Sequence, residues 1–462
     1  MNKIRLTLIA LLALSLSIIG LYGLKIQREP LKAVSPPRES STLPVSRLQP
    51  EVLRKFLDNK DIGSAVKHVE RGWKQQYEEY IKGKLPSNRV IETKEISQIL
   101  NQIYQRTKKK SALIYAIPTP NHLELILVTP DKAPIHKRIK AAKREDLIKL
   151  VSKFRKDIVN PSSKRDEYLS SGKQLYKLII APLEPALKEQ GINNLIFCLG
   201  GGLRTVPLAA MHDGKSFLVE KYSLGIIPAF NLLDFKPANL IQAQVLAMGA
   251  SQFKNKEPLP AVPLELSSIV GSQWRGKSFL NQEFTLENFK KQRAIFPFGI
   301  IHLATHAEFS PGSVKQSYIQ FWDTQIPLDE LQSLELNKPP VQLLVLSACR
   351  TALGNPQAEL GFAGLAVQSG AKAAVASLWS VNDGGTLALM SQFYQQLKAN
   401  PIKSEALRQT QIAMLKQQVT LKNNPAIRGS NSLPTNVVAT LDSRELSHPY
   451  YWSGFTLIGN PW

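Results

Sequence analysis

Four short, unbroken apolar runs, at residues 244–249, 298–305, 341–347 and 371–378, constrain this chain more tightly than any other feature. Each gives way to a glycine or polar turn, and helical stretches such as 361–369 and 386–397 separate or follow them. A strand with one wet face alternates apolar and polar residues, whereas a strand covered on both faces is apolar throughout. The runs therefore predict an α/β fold with a mainly parallel sheet flanked by helices. In open parallel sheets, functional groups gather just beyond the carboxyl ends of the strands.

The first half of the chain starts with helices. Over residues 52–106, Ala65, Val66, Val69, Trp73, Tyr77 and Tyr80 recur at three- and four-residue steps, and Ile96, Ile99, Leu100 and Ile103 repeat the pattern. No 34-residue period marks a helical-repeat array. Residues 112–117 and 123–129 read as a hairpin, 144–158 and 168–190 as helical, and 194–199 as an apolar strand ending in Gly200, Gly201 and Gly202. A phosphate loop would need Lys-Ser/Thr and a helix start; Leu203-Arg204-Thr205-Val206-Pro207 follows instead, so the glycines predict a tight turn. Cys198, inside the apolar run, reads as a buried structural thiol.

A chain of 462 residues that is 43% hydrophobic and 20% charged has ample material for a core. Its formal charge of +22 suggests a nucleic-acid or anionic-membrane partner. Half of that excess, however, lies in residues 1–110, with 21 basic against 10 acidic side chains. The basic runs at 108–110 and 137–140 lack the interleaved aromatics of a single-strand platform. They read as solvated helix faces or as attraction to anionic lipid, so no specific nucleic-acid partner is expected.

Lipid contact agrees with the N-terminus. Residues 6–24 are apolar, preceded by Lys3 and Arg5 and followed by Lys25 and Arg28. At ~1.5 Å per residue this run spans a bilayer core of ~30 Å. A cleavable signal has an apolar region of about 7 to 15 residues and a small-x-small exit, which is absent here. Residues 1–24 are thus expected to be a retained single-pass anchor, with a cleaved signal as the alternative. Residues 25–49, carrying Pro30, Pro36, Pro37 and Pro44, read as a tether. A short basic tail favours an extracytoplasmic body, and Lys25, Arg28, Lys32, Arg38 and Arg47 pull the other way.

Two strand ends carry reactive side chains. The run 298–305 delivers His306 and the run 341–347 delivers Cys349. If the strands are neighbours, an imidazole and a thiol can face each other, the pairing that generates a nucleophilic thiolate. The plain alternative is a buried inert thiol and a loop histidine. His302, four residues before His306, would suit a metal pair on a helix, but on a strand it reads as a packed histidine. Two cysteines in all, Cys198 and Cys349, leave no material for a disulfide framework.

The stretches His302-Leu-Ala-Thr-His306, Leu346-Ser-Ala-Cys-Arg-Thr-Ala-Leu-Gly354, Ser377-Leu-Trp-Ser-Val-Asn-Asp383 and His448-Pro-Tyr-Tyr-Trp-Ser-Gly-Phe-Thr-Leu-Ile-Gly459 resemble the CHAT domain, a caspase-like domain of the clan CD cysteine peptidases. Residues 202–214 look like its first half, and the resemblance runs over about 111–462. It implies a caspase-hemoglobinase fold, with a degenerate half at 111–245, an active half at 246–462 and a helical region at 50–110 before them. It also implies a dyad in which His306 is the general base and Cys349 the nucleophile. The main-chain N–H groups of Ala307 and Cys349 would hold the oxyanion, each worth about 2.7–4 kcal/mol in comparable sites.

Ala307 stands where the family usually has glycine, and a left-handed backbone there would cost about 1–2 kcal/mol. Arg350 stands where an acidic residue is usual. Asp383 is the candidate carboxylate for a basic P1 side chain, and its alternative role is to cap the following helix. The expectation is a membrane-tethered cysteine endopeptidase acting on protein or peptide substrates, requiring no metal or organic cofactor. A catalytically weak interaction module is the alternative.

Overall fold

The computed structural model describes residues 48–83, 85, 91–236, 240–312, 314–351, 355–419 and 446–462. The expected anchor at 1–24 and nearly all of the tether lie outside them. Among the described residues no helix is long and apolar enough to cross a membrane.

Helices α1 (Pro50–Asp58), α2 (Ile62–Ile81) and α3 (Thr93–Thr107) come first. Asp61 starts α2 by accepting the Ser64 N–H at 3.0 Å, and Ala65, Val66, Val69, Trp73 and Tyr77 form its buried face, as their spacing predicts. The chain continues through β1 (Ser111–Pro118), β2 (Leu123–Val128), β3 (Ile135–Ile139), α4 (Arg144–Val159), α5 (Arg165–Ile179), α6 (Glu184–Glu189), β4 (Asn194–Leu199), α7 (Leu218–Lys221) and β5 (Ser223–Ile227). The second half runs β6 (Val245–Gly249), α8 (Val262–Ile269), β7 (Gly276–Leu280), α9 (Leu286–Ile295), β8 (Ile300–Phe309), β9 (Tyr318–Gln320), β10 (Gln325–Pro327) and β11 (Leu343–Thr351). It then continues α10 (Pro356–Ala363), α11 (Leu365–Ser369), β12 (Ala373–Ser377), α12 (Asp383–Ala399), α13 (Lys403–Leu415), α14 (Pro449–Trp452) and β13 (Phe455–Gly459).

The described strands form one sheet, in the order β10-β9-β8-β11-β12-β13-β5-β4-β1-β2-β3, with β6 pairing β7 and β8. Its interior is mostly parallel, as the apolar runs predict. The last strand, β13, lies antiparallel to β12 and parallel to β5, so it joins the sheet of the first half to that of the second. Helices cover both faces, and strands β1, β4, β6, β11 and β12 are almost wholly buried.

Some elements depart from the sequence expectation. The helical stretch 168–190 breaks between α5 and α6, where Pro182 supplies no N–H. The basic run 137–140 is not a helix face but largely the edge strand β3, whose charges also discourage further strand pairing. Its Arg138 Nε and the His136 ring sit 2.7 Å from the two oxygens of buried Glu124, so part of the run neutralises an internal carboxylate.

The three glycines form the expected turn. Gly202 has φ +92°, and a Cβ there would meet the Ile148 side chain at 2.5 Å. Glu70, buried on α2, ties the helical region to the sheet by accepting the Tyr115 hydroxyl at 2.8 Å and the N–H groups of Phe230 and Asn231 at 2.9 Å.

Candidate active site

β8 and β11 are parallel neighbours, so the strands bearing His306 and Cys349 do lie side by side. Both run further than their apolar stretches: β8 continues to Phe309 and β11 to Thr351. Leu346 pairs with Leu303, the register shifts at Ser347, and beyond it Ala348 is level with His306 and Cys349 with Ala307. Successive strand side chains point to opposite faces. His306, Glu308, Ala348 and Arg350 accordingly line one face, while Phe309, Cys349 and Thr351 are buried on the other; Ala307, also buried, borders the cavity as well.

The first face opens on a cavity of about 930 Å³, whose lining also includes Lys256, Glu257 and Asp383. The Nε2 of His306 lies 2.8 Å from the Glu257 carbonyl oxygen. A carbonyl only accepts, so Nε2 carries the proton and Nδ1 is the basic nitrogen. Burial holds the imidazole below its usual pKa, so at neutral pH it is in the base form. The Phe253 ring packs tilted against it, with centroids 4.8 Å apart.

Cys349 is wholly buried, and its Sγ donates to the Leu346 carbonyl at 3.4 Å. Burial pushes the thiol up to about 12, and only the backbone at Ser377 favours the thiolate. The structure thus brings the two strands of the dyad together but not its two side chains. Ala307 keeps an extended backbone, so no left-handed cost arises, and it is level with Cys349 on one side and Ile319 on the other.

Asp383 lines the cavity as the first residue of α12. The cap of that helix is Asn382, whose Oδ1 accepts the Gly385 N–H at 3.1 Å. One Asp383 oxygen accepts the Ala261 N–H instead. Burial, reinforced by Glu265, raises its pKa to about 6. His302 is a buried strand histidine, as expected: its Nε2 lies 2.9 Å from a Glu265 oxygen and its Nδ1 3.1 Å from the Tyr394 hydroxyl. Sequence reasoning missed Glu308, which alternates with His306 on the cavity face and pairs with Lys256 at 2.8 Å. The signal was present in the period of two, had the strand been extended past 305.

A mainly parallel sheet flanked by helices, with a histidine and a cysteine on adjacent strands beside a cavity lined by carboxylates and basic side chains alike, defines an α/β protein with a candidate site beside those strands. The CHAT domain model matches residues 169–460, more than half of the chain, and the chain belongs to that family. The match begins within α5, leaving β1 to β3 and α4 outside it. No curated protein matches the sequence.

Among solved structures, the chain is similar to the Saccharomyces cerevisiae separase–securin complex, with 9% identity, a TM-score of 0.49, and coverage of 86% of this chain and 34% of that one. It therefore spans about a third of the length of that relative. The complex of Porphyromonas gingivalis RgpB pro- and mature domains shows 11% identity and a TM-score of 0.35, covering 76% of this chain and 78% of that one. The family assignment rests on the CHAT match alone.

Proposed function

We propose that the chain is a cysteine endopeptidase in which Cys349 is the nucleophile and His306 the general base, held here in a resting arrangement. The observation that carries this reading is the placement of both residues on adjacent parallel strands, one register step apart, with His306 opening to the cavity. In the reaction the end of β11 turns so that Sγ enters the cavity face. The Nδ1 of His306 takes the thiol proton, and Sγ attacks the peptide carbonyl. The proton then passes to the leaving amine, and water cleaves the acyl-enzyme. Asp383 supplies negative charge for a basic P1 side chain.

A positional scan of P1 in peptide substrates, run with the wild type, Cys349→Ala and Asp383→Ala, tests the reading. Cleavage after Lys or Arg that depends on Cys349 and weakens in Asp383→Ala supports it; no Cys349-dependent cleavage of any peptide rejects it. The run at residues 6–24 supports single-pass tethering to a membrane, and release of the full chain by alkaline carbonate would refute that part.

One observation favours a second reading, an interaction module without catalysis: the buried Cys349 thiol faces away from His306. Cells expressing Cys349→Ala at normal levels separate the two, because a lost phenotype is incompatible with a pure scaffold.

A further inference from the structure

We infer that Arg155, on α4 of the first half, is a latch that holds the end of β11 in its thiol-buried register, so that access of Cys349 to the cavity is controlled from the first half. The inference rests on the peptidase reading and names the regulation of that same site.

β11 pairs with β12 only over Leu344, Val345 and Leu346. Beyond the register shift at Ser347, β11 stays with β8 but has left the regular ladder on its other side. Two contacts replace that ladder. The Thr351 N–H donates to the Leu378 carbonyl at 3.4 Å. The Nη2 of Arg155 donates to both the Thr351 carbonyl, at 3.2 Å, and the Leu378 carbonyl, at 2.9 Å. Thr351 is two residues beyond Cys349, so a side chain of the first half fixes the strand end on which the thiol rides.

The first half also grips the chain further on. Glu359 of α10, only 2% exposed, accepts the N–H of Gly202 at 2.8 Å, in the glycine turn after β4. Cys349 is therefore bracketed: Arg155 holds Thr351, and the glycine turn holds Glu359.

The latch is held at a cost. Arg155 is 3% exposed, and its Nε and Nη1 have no hydrogen-bond partner among the described residues. A buried guanidinium satisfied at one of three nitrogens is expensive, and two carbonyls do not neutralise its charge. Glu359 is the carboxylate whose field favours the Arg155 cation.

The test is the rate at which iodoacetamide alkylates Cys349 in the folded full chain, read by peptide mass spectrometry, with Cys198 as the buried control. Arg155→Met keeps bulk and removes both donors. It is expected to raise the Cys349 rate at least tenfold while Cys198 stays unmodified. Arg155→Lys, whose ammonium ends one bond short of the Nη2 position, is expected to raise it at least threefold and serves if the Met variant does not fold.

An unchanged Cys349 rate in the folded variants overturns the latch, as does parallel exposure of Cys198, which would mean general loosening. Because alkylation needs no proteolysis, the two proposals fail separately. A freed thiol without any cleavage rejects the peptidase and keeps the latch; cleavage with an unchanged alkylation rate does the reverse.

Discussion

Cys349 and His306 project from opposite faces of the sheet although their strands are hydrogen-bonded neighbours, because Cys349 is level with Ala307 and Ala348 with His306. Half a strand period separates this arrangement from a working dyad. A twist of the β11 end that moved the thiol to the cavity face would supply both the geometry and the lower pKa that nucleophilic attack requires.

The thiol itself gives the first prediction. Raising a pKa from 9 to about 12 lowers the thiolate fraction near neutrality ~1000-fold. Cys349 in the native wild type should therefore alkylate at pH 7.5 at least ~100-fold more slowly than in the urea-unfolded chain. A native rate equal to the unfolded one would contradict the buried register.

Asp383 gives stability a pH dependence. Its folded pKa, about 6, lies above the 3.8 of an ordinary aspartate, so between these values the native state binds more protons than the unfolded state. Its contribution is present below pH ~4 and is lost as pH rises through ~6, by about 1–2 kcal/mol once its partial exposure is allowed for. Asp383→Asn should gain on the wild type by that amount between pH 4 and 7 in urea unfolding. A constant difference across the range would contradict it.

Glu70 accepts three buried donors, and Glu70→Ala would leave the Tyr115 hydroxyl and two N–H groups unpaired. The expected loss is about 3–5 kcal/mol, measured by chemical denaturation. Glu70→Gln, which keeps one acceptor oxygen for the Tyr115 hydroxyl and the Phe230 N–H, should lose less.

Gly202→Ala combines a left-handed backbone with a Cβ pressed into Ile148. A loss of about 2–4 kcal/mol is expected from strain and overpacking together. Thermal unfolding of this variant beside Gly201→Ala, whose Cβ would meet nothing closer than 3.6 Å, separates the strained position from its neighbour.

The sequence makes the buried strands legible because burial on both faces writes itself as continuous apolar runs: β4, β6, β8, β11 and β12 are all found this way. β3 escapes because its residues, Ile-His-Lys-Arg-Ile, are only half covered at the sheet edge. The site is legible as two strands and two residues, but not as a geometry. The apolar run stops at Ser347, which suggests a turn carrying Cys349. Backbone pairing with β8 instead carries polar residues on to Thr351 in strand conformation. Arg155 and Glu70 leave no sequence signal, since a buried charge is recognised only by what surrounds it.

The position of β13 has a consequence for biosynthesis. Both of its neighbours, β12 and β5, are made earlier, so a nascent chain carries two half-built sheets with facing open edges until residues 455–459 emerge. Until then those edges are free to pair with other chains. Premature termination anywhere before β13 should therefore yield an aggregating product rather than a smaller folded one.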